Sequence, residues 1–567
     1  MLSFVTFDGD GIEPREFPPR HAYLHGPDEL PLQADVTMSQ GHVLCQYDAT
    51  HSKALVVQVS LEGPEPLGLL TLPTCLLPDR ANSYLLPLEL ARHQIMLFLN
   101  KLEDWQLTDL PPESATMRRF EEARDAFTAA LVAQRSPTGQ GRAGFSAEAS
   151  RAAVRTLAQA VDAGEQLTLI QAERQLAERS SGKLYEDAVG HFRRVTQEGV
   201  PAGAPVVVPG GSGVVLPGPA QVGCAVSPAT AGEPAQRALM GACDFVSMPM
   251  RWNDMEPREG KYSFAGTDRW IEWAVRAARV PVHAGPLVDF RASCIPDWLY
   301  IWENDYETLR DLVIEHIQAI VTRYRRTVHR WTVASGLNVN TNFKLPLESA
   351  LDLTRVAVLV VRKLQPQAKV QVEIAQPWGE YHAYNKRSIP PLVYAEAMVQ
   401  MGLPIDAIAL RLQMGHAQPG LSTRDLLSLS ALIDRYAQFE KPLAVTALGC
   451  PSAPIAPTPY QPRAGSAAED PYEPGRWRDA WSEAQQASWL ECVVATCCSK
   501  PSVQSVCWQD LADPAPGVAP PEMPFGGLLT SALAPKLALG RLAQIRQGVR
   551  TGKAALSVVE APPRAAR

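Results

Sequence analysis

The spacing of hydrophobic and polar positions changes three times along this chain. In residues 1–85, short apolar runs such as 34–38, 43–47 and 54–61 are separated by Gly, Pro, Asp and Asn. Apolar runs of this length between turn residues are typical of β-strands. The segment therefore predicts an antiparallel β-module, either a small sandwich or a jelly roll.

From Leu86 onward the apolar residues recur with the period of an α-helix. Helices are predicted over 86–102, 114–134 and 146–180, with a fourth over 185–195. Ser114 and Ser146 stand where the N-cap residue of a helix is expected. Residues 86–199 are therefore predicted to form a helical connector that packs on the next domain or mediates self-association.

Residues 200–220 are rich in Pro and Gly, a composition that predicts a linker and a domain boundary. Strand-like and helix-like segments then alternate up to about residue 545. The strand-like segments are 221–226, 243–248, 281–288, 328–334, 370–375, 407–412, 443–446 and 505–508. Eight such units predict a (β/α)8 TIM barrel. Residues 450–479 are predicted to be a lid over its carboxyl-terminal end, and 546–567 a flexible tail.

Composition narrows the class of protein. Hydrophobic content of 46%, charged content of 20% and a net charge of -7 are typical of a soluble globular protein and argue against nucleic acid as the partner. Residues 1–14 lack a basic start followed by an apolar run, and no stretch approaches the ~18 apolar residues of a membrane span. We therefore expect a cytoplasmic protein without membrane contact, with export by an unrecognised route as the alternative. Cys492, Cys497 and Cys498 have no CxxC pairing, so we expect buried thiols, no metal and no cofactor.

The segment from Trp252 to Phe264, Trp-Asn-Asp-Met-Glu-Pro-Arg-Glu-Gly-Lys-Tyr-Ser-Phe, has a distinctive order of residues. It resembles the Lys-Trp-x3-Glu-Pro-x2-Gly-x-Phe-x-Phe segment of glycoside hydrolase family 10, the xylanase family. Further similarity lies in Gly223-Cys-Ala225, Pro296-Asp-Trp298, His316-Ile317, and Trp508 with Asp513. The resemblance covers about residues 221–545. It implies a barrel that cleaves or binds a polysaccharide or oligosaccharide.

The resemblance fails at the two catalytic carboxylates. The fourth strand of the family reads Trp-Asp-Val-Val-Asn-Glu and its seventh carries Thr-Glu-Leu-Asp. The matching stretches here are Trp-Thr-Val-Ala-Ser-Gly, ending at Gly336, and Thr-Ala-Leu-Gly, with Ala447 second. Retaining glycosidases need one carboxyl group to protonate the leaving oxygen and a second as nucleophile. Neither Gly336 nor Ala447 can do either.

Other carboxylates near the predicted carboxyl-terminal end of the barrel offer a replacement pair. Asp289 follows strand three, and Glu380 follows strand five beside Trp378, whose indole offers a platform for a sugar ring. We predict Asp289 and Glu380 as the relocated catalytic pair, with a solvated rim loop as the structural alternative for Glu380. The remaining carboxylates there are Glu373, Asp510 and Asp513. The predicted sugar-binding residues are Arg251, Trp252, Asn338, Trp378, Tyr381, Arg411, His416 and Trp508.

Three hypotheses follow for the function of the barrel. The first is a divergent glycosidase with relocated carboxylates, and the second is a noncatalytic sugar-binding or scaffold protein. The third is a purely structural protein, in which the helical region drives assembly and residues 450–479 close the end of the barrel. Two carboxyl groups that face each other across the end of the barrel favour the first. An aromatic groove without opposed acids favours the second. Residues 1–85 are a candidate carbohydrate-binding or packing module, and the N-terminal region is a candidate for homo-oligomer formation.

Overall fold

A computed structural model describes most of the chain. The described residues are 1–7, 19–39, 42–62, 65–134, 145–209, 213–418, 420–457, 473–515, 523–554 and 556. Half of the predicted lid, residues 458–472, lies outside these ranges, and so does more than half of the predicted tail. Within them, every helix is too short or too polar to cross a bilayer.

Strands and helices follow the order that the residue pattern predicts. The strands are β1 (Leu2–Val5), β2 (Tyr23–His25), β3 (Pro31–Leu32), β4 (Ala34–Ser39), β5 (His42–Tyr47), β6 (Ala54–Leu61), β7 (Gly68–Pro73), β8 (Tyr84–Leu85), β9 (Val206–Val207), β10 (Val214–Val215), β11 (Gln221–Ala225), β12 (Phe245–Met248), β13 (Val282–Ala284), β14 (Val288–Asp289), β15 (Val328–Ser335), β16 (Lys369–Ile374), β17 (Ala407–Gln413), β18 (Leu443–Gly449), β19 (Arg476–Trp477) and β20 (Val503–Trp508). The α-helices are α1 (Leu86–Asp104), α2 (Ala115–Ala133), α3 (Ala147–Ser180), α4 (Lys183–Thr196), α5 (Glu233–Leu239), α6 (Trp252–Met255), α7 (Ala265–Glu272), α8 (Tyr306–Tyr324), α9 (Leu347–Leu364), α10 (Glu380–Tyr384), α11 (Pro391–Gln400), α12 (Leu426–Ala437), α13 (Glu483–Ser499) and α14 (Leu537–Thr551).

The predicted (β/α)8 barrel is confirmed. Its strands one to eight are β11, β12, β13 with β14, β15, β16, β17, β18 and β20, and each pairs in parallel with the next. Pairing of β20 with β11 closes the barrel. All seven residues of β17 are buried, as expected for a strand between the barrel interior and an outer ring of helices. The carboxyl ends of these strands form the barrel mouth.

The N-terminal β-module consists of two sheets, with strand orders β4-β5-β1-β8 and β19-β7-β6-β2-β3. The outer strand β19 does not come from the module. It belongs to the connection after barrel strand seven, and its Arg476 and Trp477 pair antiparallel with Leu69 and Gly68 of β7. The barrel thus contributes one strand to the sheet of the module, and a single hydrophobic core runs through both.

Helices α1 to α3 connect the module to the barrel. Ser114 and Ser146 cap α2 and α3 by accepting hydrogen bonds from the backbone N–H groups of Met117 and Ala149. Helix α3 packs against α12 and α13 of the outer ring. At its end the buried Arg179 donates hydrogen bonds to four backbone carbonyls, those of Gly218, Cys498, Lys500 and Val503. These bonds fix the helix to the amino end of strand eight.

Two predicted boundaries differ from the structure. The Pro-rich and Gly-rich linker, residues 200–220, contains the short antiparallel pair of β9 and β10. The tail predicted from residue 546 begins inside α14, which continues to Thr551 because Leu542, Ile545 and Val549 bury one face of the helix.

Candidate active site

The segment that carries the family resemblance forms a buried network beside strand two. Glu256 accepts hydrogen bonds from the Trp252 indole at 2.8 Å and the Gly260 backbone N–H at 2.8 Å. His316 of α8 lies 3.4 Å from the Glu256 carboxylate, and its ring stacks on Trp252 at a centroid distance of 4.1 Å. Hydrogen bonds from His316, Gly260 and Trp252 overcome the effect of burial and lower the pKa of Glu256. These residues bind one another in the interior and stabilise the fold.

Gly336 lies at the end of strand four with a φ of 68°, a conformation that glycine adopts without strain. A Cβ atom at this position would lie 3.6 Å from Oδ1 of Asp289 and 3.7 Å from Cγ of Arg291. The space beside Gly336 is therefore occupied by Asp289 and Arg291. Asp289, one member of the predicted pair, thus lies beside Gly336, where the family resemblance places a catalytic glutamate.

Asp289 is held by Arg291. It is 3% exposed, and its carboxylate accepts hydrogen bonds from Nε of Arg291 at 2.9 and 3.0 Å, from Nη2 of Arg291, and from the Arg291 backbone N–H at 3.0 Å. The aspartate therefore has a fixed position and a cationic partner. Arg291 is partly exposed, so the pair lies at the edge between the barrel interior and solvent.

Glu373 is the second carboxylate of the barrel interior. It is 2% exposed, accepts hydrogen bonds from Ser335 at 2.5 Å and Arg411 at 3.2 Å, and also accepts one from Thr446. Ser335 directly precedes Gly336, and Thr446 directly precedes Ala447. Gly336 and Ala447 are the positions where the family resemblance places the catalytic carboxylates, and the residues next to both therefore bind this one carboxylate.

Asp289 and Glu373 lie in one layer of the barrel. Asp289 pairs with Ser335 in the adjacent strand, and Ser335 pairs with Glu373 in the strand after that. Two strand spacings separate their backbones by roughly 9–10 Å. In sequence, Gln371 and Glu373 alternate with Val370, Val372 and Ile374, which indicates that both polar side chains face the barrel axis. This alternation is the signal in the sequence that indicates an inward position for Glu373. Glu380, which follows the strand, has no such signal.

The structure does not support Glu380 as a nucleophile. Its side chain is completely buried and accepts hydrogen bonds from Gly420 at 2.6 Å, Ser422 at 3.1 Å and Arg424. His21 of the N-terminal module lies 3.9 Å away on the same carboxylate. A glycosidase nucleophile must reach the sugar, and these four neighbours leave Glu380 no access to it. The alternative prediction, a rim loop in which Glu380 is exposed to solvent, is also wrong, because the side chain is completely buried.

Most of the predicted sugar-binding residues are buried in structural contacts. Trp252 belongs to the Glu256 network, and Trp508 donates to the carbonyl of Gly526 at 2.9 Å. Asn338 donates to the Tyr381 hydroxyl at 2.7 Å, and that hydroxyl donates to the carbonyl of Ile389. Trp252, Trp508, Asn338, Tyr381, Arg411 and His416 are all buried, whereas Arg251 and Trp378 are partly exposed. Arg251 and Trp378 are therefore the most accessible of these eight residues.

His416, after strand six, gives the protein a predictable dependence on pH. Burial lowers its pKa from 6.5 to about 4. Between these values the unfolded chain binds a proton that the folded chain does not, so stability is present above pH 6.5 and is lost as pH falls toward 4. At pH 4 the wild-type protein should therefore have lost about 3 kcal/mol of its free energy of unfolding through His416. The His416→Gln variant should not show this loss. Urea unfolding from pH 4 to 7 measures it, and the same replacement of the exposed His51 is the control. Parallel curves for wild type and His416→Gln contradict the prediction.

The closed eight-stranded barrel, the Glu256 network and the buried carboxylates Asp289 and Glu373 at the barrel mouth define a barrel of the glycosyl hydrolase class. The match to the family described as "Glycosyl hydrolase family 10" covers residues 217–516, slightly more than half of the chain, and the chain belongs to this family. In the described residues, no group of three or more His, Cys, Asp or Glu side chains is arranged to hold a metal ion.

Curated relatives match parts of the chain. They include endo-1,4-beta-xylanase C of Paenibacillus barcinonensis, 33% identical over 92 residues (15% of this chain, 8% of the relative). Endo-1,4-beta-xylanase B of Humicola insolens is 24% identical over 163 residues (28% and 42%), and endo-1,4-beta-xylanase A of Caldicellulosiruptor saccharolyticus is 24% identical over 214 residues (35% and 58%). The chain thus spans between 8% and 58% of the length of these relatives.

Solved structures also resemble the barrel. Native xylanase 10B from Thermotoga maritima is 15% identical, with 58% of this chain and 95% of that chain covered and a TM-score of 0.42. The family 10 structure from Paenibacillus barcinonensis is 19% identical, with 60% and 96% covered and a TM-score of 0.44.

Proposed function

We propose that the barrel mouth acts on a xylan-type polysaccharide and that Asp289 and Glu373 are its functional carboxylates. Membership of family 10 supports the substrate class, because the relatives it matches are named as endo-1,4-beta-xylanases. One observation carries the assignment of residues. A Cβ atom placed on Gly336 would lie 3.6 Å from Oδ1 of Asp289. Glu373 replaces Glu380 in the pair.

Hydrolysis is the first form of this function. Carboxyl groups of glycosidases lie about 5 Å apart when the configuration is retained and ~6.5–9.5 Å apart when it is inverted. The backbones of Asp289 and Glu373 lie two strand spacings, roughly 9–10 Å, apart on the same face of the sheet, which is compatible with the larger of these separations. The three donors on Glu373 would keep it fixed while positive charge develops on the sugar ring.

Binding without cleavage is the second form, and one observation specifically favours it. A general acid must carry a proton, and a neighbouring arginine cation opposes protonation. Asp289 lies against Arg291, and Glu373 lies against Arg411. Both carboxylates are well suited to accept hydrogen bonds from sugar hydroxyl groups, a task that requires no proton transfer.

A paired assay distinguishes the two forms. Soluble xylan and xylo-oligosaccharides are incubated with wild type, Asp289→Asn and Glu373→Gln, and both binding and new reducing ends are measured. Hydrolysis predicts new reducing ends that fall at least 100-fold in either variant, in line with loss of an acid, base or nucleophile. Binding without cleavage predicts no new reducing ends and affinity that falls about tenfold in either variant.

Glu440→Gln is the control for this assay, because Glu440 is an exposed carboxylate before strand seven, at the amino end of the barrel. It should match wild type in both measurements. Thermal unfolding of each variant reports whether the fold is intact. If a folded wild-type chain neither binds nor cleaves any xylan, or if Glu440→Gln has the same effect as the two other variants, the proposal is wrong.

A further inference from the structure

The N-terminal module covers one side of the barrel mouth. Its strands β2 and β3 contact α10, which follows strand five. The loops after strands six and seven form hydrogen bonds with the same module. We propose that these contacts form a wall that closes one end of the sugar-binding groove, so that the barrel takes the terminal part of a polysaccharide chain. This inference rests on the proposed function and specifies the part of the substrate that is recognised.

The contact of the module with the strand-five loop is close. The Tyr23 hydroxyl donates to the carbonyl of Trp378 at 3.4 Å, and the Tyr384 hydroxyl donates to the carbonyl of Ala22 at 2.5 Å. Gly379 has a φ of 83°, and a Cβ atom there would lie 2.8 Å from Cγ of Pro31 in β3. Only glycine allows the module to approach this closely without displacement.

The loops after strands six and seven complete the wall. The backbone N–H of Thr71 in β7 donates to the carbonyl of Thr423 at 2.8 Å. The carbonyl of Glu473, after strand seven, accepts from the His21 ring at 2.8 Å and from the Gln58 side chain at 3.2 Å. The wall therefore consists of β2, β3 and the segments 377–384, 420–424 and 473–478, excluding residues that the structure does not describe.

Buried contacts make this wall a fixed part of the fold. Glu380 joins segment 377–384 to segment 420–424, because its carboxylate accepts hydrogen bonds from Gly420, Ser422 and Arg424. His21, just before β2, lies on the same carboxylate. Tyr23, His21 and Glu380 are buried. Opening the wall would break these hydrogen bonds and expose the buried Tyr23 ring, a cost that a loop without such contacts does not incur.

On the opposite side of the mouth, the loop after strand three is exposed within the described part of the chain. After strand three, Ala292 and Ser293 are exposed, Ile301 is 77% exposed, and Tyr300 and Trp302 are partly exposed. A sugar chain that contacts Asp289 can extend over this loop into solvent. In the other direction it meets Trp378, a partly exposed indole. The guanidinium carbon of Arg424 lies over this ring, 4.2 Å from its centroid. Trp378 is placed to contact the terminal sugar.

Counting chain ends tests this inference without any substitution. Xylan of one composition is shortened by an added endoxylanase that is then removed, and the number of binding sites per gram is measured by titration calorimetry. If each chain end is one site, a tenfold increase in ends raises the capacity per gram about tenfold by mass action. A capacity per gram that stays constant while ends increase overturns the inference, because internal segments then bind equally well.

Trp378→Ala gives a second, independent measurement. Loss of an aromatic contact with the terminal sugar is expected to weaken binding of xylo-oligosaccharides about tenfold. Trp273→Ala is the matched control, because Trp273 is a partly buried indole on the outer helical segment between strands two and three. Equal effects of the two variants contradict the role of the wall. Failure of wild type to bind any xylan, long or short, instead contradicts the proposed function itself.

Discussion

Replacing Arg478 by methionine is expected to lower the free energy of unfolding by ~3–5 kcal/mol, the cost of removing one partner from a buried ion pair. Arg478 follows β19 and donates hydrogen bonds to Asp162 at 2.9 Å and Glu165 at 2.7 Å. Glu165 is 1% exposed, so its carboxylate would lose its cation while remaining in the interior. The Trp477 indole, which donates to Glu165 at 2.6 Å, cannot neutralise that charge.

The same short strand supplies the matched control. Arg476 pairs with Glu62, but its side chain is 33% exposed and that of Glu62 is 57% exposed. Exposed ion pairs contribute ~0–1 kcal/mol, so Arg476→Met should change stability little. Urea unfolding of the two variants measures the difference, with circular dichroism as the readout. A similar small loss in both would mean that the Glu165 network does not hold the module, helix α3 and barrel together.

Sequence periodicity located the barrel well because its strands are buried on both faces. Strand four was predicted over 328–334 and is observed as Val328–Ser335. Periodicity could not predict β19, whose partner β7 lies about 400 residues earlier in the chain. A two-residue strand has no period of its own, and it exists only because the edge of β7 offers unpaired backbone groups.

The candidate site is harder to predict, because whether a carboxylate is buried or accessible depends on neighbours in space that can be distant in sequence. Glu380 was favoured for its place beside Trp378, yet His21 and Arg424, distant in sequence, bury it. Glu373 had the clearer local signal, an inward position in an alternating strand. Arg291, which fixes Asp289, carries no pattern in the sequence that separates it from other surface arginines.

Replacing Arg411 by methionine is also expected to cost ~3–5 kcal/mol of stability, because Glu373 would remain buried with only the Ser335 and Thr446 hydroxyl groups as partners. Combining Arg411→Met with Glu373→Leu removes both charges. The double variant should recover part of the loss, with a coupling energy of ~1–3 kcal/mol between the two positions. Urea unfolding of the two single variants and the double variant measures this coupling.

Binding and stability are expected to separate in this series. If Glu373 contacts the sugar chain, the double variant regains stability but stays at least tenfold weaker than wild type for xylo-oligosaccharides. Gln371→Leu is the control, because Gln371 faces inward two residues earlier on the same strand and bonds Thr332, deeper in the barrel. It should lose some stability and keep its affinity. A double variant that binds as tightly as wild type would show that Glu373 only fills the barrel interior, and Asp289 would then be the sole functional carboxylate of the proposed pair.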